Sequence, residues 1–432
     1  MADIREYKRL KEQKSNVVSG KSRFNVQPLP EAHNDRKSDF REAEDTDDAW
    51  GEDDYEAKLR KHRLKNLAVM IVAAVLVVCA VFYVVNGVRN RVYTSYTITA
   101  SVTKDNVQDA RYAAFGDGYV RYSNDGIAYF DRKGNAIWNQ TYQMKSPSIS
   151  VRGDCLAVGD INGSTIYMFN KKGMLGSVDT SLSISQVEMG ESNLVAAILE
   201  DSNANYINLY DESGSKVYSV KTTLAGDGYP LGISISQDAT KLIASYVYVN
   251  GDSIKTNVVF YNFSDVGQNE TERVVGGFDY DSTLVPEVHF LTDTCAVAIG
   301  EDVIGIYRIK EFPSLYKSVQ VDAKIDRVFT SSKYIGLVVD NQESGYNYKL
   351  LVYDINGNLV SQTTFNTLYD TIKFDGDTIL MYNDSLVTLM NCKGKVLFEQ
   401  KMDLPVEDVL SAGVKGRYFL VNSTYVQEIY LK

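Results

Sequence analysis

His289, in "PEVHFL", is the only histidine after residue 65. A serine–histidine–acid triad or a histidine-ligated zinc site in that part of the chain would turn on this one imidazole. Its neighbours alternate as an inner strand does, so a packed or channel-facing side chain is the expectation. The cysteines are Cys79, Cys155, Cys295 and Cys392. The first lies in an uncharged apolar run, and the remaining three form neither a disulfide framework nor a metal-ligand spacing. Cys155 in "GDCLAVGD" and Cys295 in "TDTCAVAIG" occupy matching places, as small buried hydrophobes do. "DINGS" at Asp160 and "DINGN" at Asp354 set oxygens at alternate positions like the start of a calcium loop, but the twelfth position is Lys171 or Phe365, where such a loop needs Glu. "VVGGFDY" and "AGDGYP" lack the lysine of a phosphate-binding loop. The 41 carboxylates after residue 65 single out no pair for glycoside chemistry. No catalytic, cofactor-binding or metal residue is assigned, and no partner-binding residue either; the expected protein is not an enzyme and carries no cofactor.

Whatever the function is, a repeat positions it. "YFDRKGNAIWN" (Tyr129–Asn139) reads as two strands folded around a tight turn, and it has relatives: third strands end at or near Phe130, Phe169, Tyr210, Tyr261, Tyr307, Tyr353, Met390 and Tyr430. The spacing averages about 43 residues, the length of a four-stranded propeller blade. In the second unit the strands are "SISV", "CLAVGD", "TIYMFN" and "GSVDTS". The Asp/Asn-x-x-Gly signature is turn chemistry. Asp or Asn favours the first position, and the residue re-entering the return strand needs a positive φ that Gly adopts without steric cost.

The eighth unit reaches Lys432 with three strands, one short. Ser95–Val102, "SYTITASV", alternates Tyr96, Ile98, Ala100 and Val102 with polar residues and has no sheet of its own. The expectation is that it supplies the missing outer strand and closes the ring, removing exposed sheet edges. The fold class is then all-β, an eight-bladed propeller over residues 95–432.

Upstream, Leu67–Val85 is a 19-residue run without charge. At about 1.5 Å per residue it matches a bilayer's hydrocarbon thickness, and a transmembrane helix is expected over residues 66–88. It starts too late and runs too long for a signal peptide. Lys58, Arg60, Lys61, Arg63 and Lys65 precede it against Arg89 and Arg91 after it, so residues 1–65 are expected in the cytoplasm and the propeller outside, with a single pass through the plasma membrane. Residues 1–65 hold 15 basic and 15 acidic side chains, nine of the acids between Glu42 and Glu56, and are expected to be a disordered tail. Trp50, Tyr55 and "RFNVQPLPEAH" are its candidate docking motifs, and Ile4, Tyr7 and Leu10 one weak helical stripe. The rest holds 30 basic against 41 acidic residues, which excludes nucleic acid as an expected partner. Asn86–Thr94 is a nine-residue connection that keeps the ring within roughly 30 Å of the membrane.

The units resemble quinoprotein-type and WD40-like propeller repeats, in which a tryptophan after the turn docks between blades; Asp131, Gly134 and Trp138 fit the pattern. The equivalent slot is Tyr218 in the third unit, Ser361 in the sixth and Phe398 in the seventh, so the resemblance implies tryptophan docking only in part. The chain as a whole resembles an uncharacterised membrane-anchored propeller family of Gram-positive bacteria, a domain of unknown function, and in architecture the propeller lipoprotein of the bacterial outer-membrane assembly machine. The resemblance implies no activity, and the expected function is a non-catalytic protein-binding scaffold of the cell envelope, offering its propeller loops to a partner there. A transmembrane sensor and an envelope enzyme acting on carbohydrate or quinone are the alternatives. Oligomeric state is not implied. The insertions "YVNGDSIKTN", "FSDVGQNETERVVGGFDYDS" and "DNQESGYNYK" enlarge particular faces, where recognition commonly lies.

Overall fold

The computed structural model describes residues 52–432 except 106, 225, 282 and 342–344. The chain divides into two units, with the boundary between Val77 and Val78. Trp50, Ile4, Tyr7, Leu10 and "RFNVQPLPEAH" lie outside the described residues, as does the side chain of Tyr55.

The first described element is a 38-residue helix, α1 (Glu52–Arg89). It starts earlier than the expected residue 66, and residues 52–65, assigned to the tail, are helical. The reason is local: "EDDYEAKLRKHRLKN" is rich in strong helix formers and sets acids in the first turn, where the helix dipole favours them. Within α1, Leu59–Tyr83 is long and apolar enough to cross a membrane.

Thirty-two strands follow in eight antiparallel four-stranded sheets, each a meander of consecutive strands except one. The exception joins Tyr96–Thr103 to the outside of Val406–Ser411, Arg417–Asn422 and Tyr425–Leu431. Its register sets Tyr96 opposite Leu431, Ile98 opposite Ile429 and Val102 opposite Val426. The expected closing strand is therefore present, one residue later than its sequence bounds. We number the blades from Arg111 (blade 1) to the closed sheet (blade 8).

Closure is matched by packing. Alternation along each strand sends apolar side chains to both faces of each sheet, and the buried ones form eight clusters, one at each blade–blade interface. Phe115, Val120, Leu156 and Phe169 join blades 1 and 2. Tyr112 and Tyr119 join Leu410 and Phe419 across blades 1 and 8. With no interface lacking its cluster, the ring has one continuous core and no open sheet face within it.

The turns explain the signature. Asp131 Oδ1 accepts from the amides of Lys133 and Asn135, both at 2.8 Å. Asp354 does the same to Asn356 at 2.8 Å and Asn358 at 2.9 Å, and Asn391 to Lys393 and Lys395. The intervening glycine must then adopt a left-handed conformation, with φ of 82° at Gly134 and 70° at Gly357. The carboxylate oxygens of Asp354 are thus engaged by the turn itself. Asp160 lies instead at the end of a second strand, where its Oδ1 accepts from the amides of Lys145 and Ser146.

Candidate functional site

Four places in the ring bring chemistry-bearing side chains together. The first is the seam between outer strands. Each outer strand carries a β-bulge, and in blades 1, 2, 3, 5 and 6 the residue just after it faces the turn of the next blade. In blade 1 this is Trp138, which stacks on Phe169 of blade 2 at 5.1 Å and 8° and donates from Nε1 to the Lys171 carbonyl at 3.2 Å. Tyr218 donates to the Glu272 carbonyl at 2.6 Å and Ser361 to the Cys392 carbonyl at 2.7 Å. Phe398 packs edge-on against Tyr96 at 6.4 Å. The slots that lack tryptophan dock all the same, by other chemistry. Sequence reasoning left four of the eight slots unnamed, those of blades 5 and 2 among them. Lys317 donates to the Gly357 carbonyl at 2.6 Å, and at Gly176 the backbones come so close that a Cβ would sit 1.8 Å from the Glu212 carbonyl oxygen. The bulge, invisible without pairing partners, was the missing signal.

The second place is the channel wall, where inner strands are tied to their neighbours. Arg111 donates to the Pro147 carbonyl at 3.0 Å, and Gln186 both donates to and accepts from the backbone of Ile233 at 3.0 Å. Arg327 donates to the Tyr369 carbonyl at 2.5 Å, and Lys373 pairs with Asp408 at 3.3 Å. His289 lies where expected, on the inner strand Glu287–Thr292, half-exposed, with Nε2 3.2 Å from Glu287. Glu188, on the inner strand of blade 3, has its carboxyl raised by burial, opposed by Arg152, His289 and a hydrogen bond from Gln186. Serine donors of a triad do not accompany His289 in any hydrogen bond described. Among the described residues no cluster of His, Cys, Asp and Glu could hold a metal ion.

The thiols are the third group. Cys155 and Cys295 are buried and begin the second strands of blades 2 and 5, the matched places read from sequence. Burial raises both thiols, and raises that of Cys392 to about 12 with help from Asp377. Thiols held protonated and covered are poor nucleophiles.

The fourth is a cavity of about 690 Å³ at the turns of blades 7 and 8. Leu389, Leu397 and Tyr418 form its apolar wall, and Asp375, Asn391 and Tyr93 its polar edge. Burial and a hydrogen-bonded Asp375 push the Tyr418 hydroxyl up. Its size is that of small-molecule pockets. Asn90 and Tyr93 reach it because they are fastened to blade 7: Asn391 Nδ2 donates to Asn90 Oδ1 at 2.8 Å, Lys395 to the Asn90 carbonyl at 3.2 Å, and the Tyr93 amide to the Leu397 carbonyl at 2.7 Å. The expected free connection of nine residues is therefore shorter, since α1 runs to Arg89 and the chain is bonded to the ring from Asn90.

A closed ring of eight four-stranded antiparallel sheets, preceded by one apolar helix, defines an eight-bladed β-propeller. The chain belongs to the family of unknown function DUF5711, whose model matches residues 89–431. Among solved structures it is similar to BamB from Moraxella catarrhalis, 12% identical over 78% of this chain and 100% of that one, with a TM-score of 0.50. It is likewise similar to Sqt1 from Chaetomium thermophilum bound to the N-terminus of the ribosomal protein L10, 13% identical over 78% and 100%, with a TM-score of 0.51. At such identities the likeness is one of fold. No curated protein matches the chain.

Proposed function

We propose that the protein is a membrane-anchored, non-catalytic scaffold whose propeller stands outside the plasma membrane and binds another protein of the envelope. Leu59–Tyr83 is the anchor, and the five cations Lys58, Arg60, Lys61, Arg63 and Lys65 keep the N-terminal side in the cytoplasm. Asn90 and Tyr93, which follow α1, are bonded to the end of blade 7 that carries its first and third hairpin turns, and the second hairpin turns lie on the opposite face of the ring.

The observation that carries the reading is on that far side. The middle hairpin of blade 4 has ten-residue strands, Lys241–Asn250 and Ser253–Asn262, and projects beyond its neighbours' five- to seven-residue strands. Near its tip Val249 and Ile254 face each other in register, and both are largely exposed. A bare apolar cross-strand pair on a projecting hairpin suits a protein surface. The Sqt1 structure supports the class, since that propeller holds a segment of another protein.

The test is crosslinking of the full chain in membranes with a photoreactive residue at Ile254. A discrete protein adduct that disappears with Val249→Asp supports the reading. Labelling of lipid or water alone, or an adduct indifferent to Val249→Asp, contradicts it.

A further inference from the structure

The face of the ring that carries the first and third hairpin turns is divided by charge. In blades 7, 8, 1 and 2 its first and third hairpin turns contain seven cations, Lys393, Lys395, Lys415, Arg132, Lys133, Lys171 and Lys172, against four carboxylates. In blades 3, 4 and 5 the same turns contain two cations against nine carboxylates. Lys133, Lys172, Lys393, Lys395 and Lys415 are exposed, whereas Lys171 pairs with Asp154 and Arg132 donates to the Ala412 carbonyl. Next to these lysines, Ile137, Met174, Val396 and Val414 are exposed as well. The cationic half is also the half to which Asn90 and Tyr93 are fastened.

We propose that this cationic sector lies on an anionic phospholipid surface, with the lysines on the headgroups and Ile137, Met174, Val396 and Val414 at the level of the acyl boundary. The proposal rests on the reading of Leu59–Tyr83 as a membrane span. Tyr83 and Asn90 are seven residues apart, about 10 Å along a helix. That is comparable to the screening length at physiological salt, so lysines beside Asn90 feel headgroup charge that those across the ring do not. Lysines whose stems can lie along apolar neighbours are the usual composition of a surface seated at the lipid interface. A soluble acidic protein would meet the nine carboxylates of blades 3 to 5 on the same face and be repelled by them.

The experiment uses the full chain, with Cys79→Ser, reconstituted in phosphatidylcholine vesicles with or without phosphatidylglycerol and a headgroup-bound quencher. One fluorophore is placed at Met174→Cys, and another at Ser385→Cys in a turn on the opposite face of blade 7. In anionic vesicles the Met174 probe should be quenched at least threefold more than the Ser385 probe. The difference should fall as salt rises, and fall again with Lys133→Glu, Lys172→Glu, Lys393→Glu and Lys415→Glu combined. Each lysine is worth about fivefold in the docked population. The salt series on the otherwise native chain stands even if the charge-reversed variant fails to fold. Equal quenching of both probes, or quenching of Met174 indifferent to lipid charge, overturns the proposal. Shielding of Met174 that grows with protein density in neutral vesicles overturns it in favour of a second copy. Release of the chain by alkaline carbonate defeats the membrane span itself, whereas a retained chain with an unquenched Met174 probe defeats only the contact.

Discussion

The hydroxyl of Thr99 donates to the carboxylate of Glu428 at 2.5 Å and to its carbonyl at 3.1 Å, across 329 residues of sequence. Thr99 is the bulged residue of the closing strand, and Glu428 is buried beside it with Arg417 at 3.3 Å. A buried carboxylate at the joint costs stability unless it is partnered, so the joint closes in one register only.

Thr99→Val should therefore cost about 1–3 kcal/mol, the penalty of a buried acceptor left without its donor. Denaturant titration of the detergent-solubilised chain reads it. Deleting residues 95–102 should go further and abolish the cooperative transition, because blade 8 then exposes an unpaired edge to every other copy.

The seam slots should differ in size of effect while sharing one sign. Trp138→Ala removes a stacked ring and a hydrogen bond and should cost about 2–4 kcal/mol. Ser361→Ala should cost about 1 kcal/mol. Gly176→Ala, which adds a single methyl, should cost about 1–3 kcal/mol through overpacking against Glu212. Unfolding midpoints at constant m-value check all three.

Acid should loosen the turns. Burial raises the Asp131 and Asp354 carboxyls, but hydrogen bonds from their own turns outweigh it; at Asp211 the Ser213 hydrogen bond leads. All three are held below their ordinary value of 3.8. A depressed folded-state pKa contributes stability that is fully present above the unfolded value and is lost as pH falls through the folded one. Stability should thus be flat near neutrality and decline below about pH 4. Asp354→Asn, which keeps an acceptor for the turn amides as Asn391 does but loses the one that Asn358 Nδ2 reaches, should flatten that decline and lower stability modestly at pH 7. Asp354→Ala should lose stability at every pH.

Cys155, Cys295 and Cys392 should resist a maleimide in the folded protein and react fully in denaturant, since each is covered and each thiol is raised. Mass spectrometry after a brief pulse distinguishes the two. Rapid labelling of any of them in the folded state would show its blade open.

Much of this architecture was legible in the residues. Phe130, Tyr210 and Tyr353 mark third strands because alternation and the following Asp-x-x-Gly turn are local, and the closing strand was legible because Tyr96, Ile98 and Val102 alternate without a partner nearby. Lys317 and Gly176 were not legible: their role depends on a bulge, which exists only relative to the strand alongside. The helical start at Glu52 was hidden by reading charge as disorder, when the same residues have high helix propensity. The charge division of the face that carries the first and third hairpin turns was hidden for another reason. Lys133, Lys172 and Lys393 occupy the variable positions of a turn motif, and only the ring shows which turns are neighbours.

The closure itself is tested most directly by Ser101→Cys with Gln427→Cys, residues that face each other across the joint. Directly opposed antiparallel positions lie within disulfide reach. Oxidation should link the two cysteines within one chain in high yield and raise the unfolding temperature. A chain that stays reduced at these positions, or links only to other chains, would contradict a ring locked by its N-terminal strand.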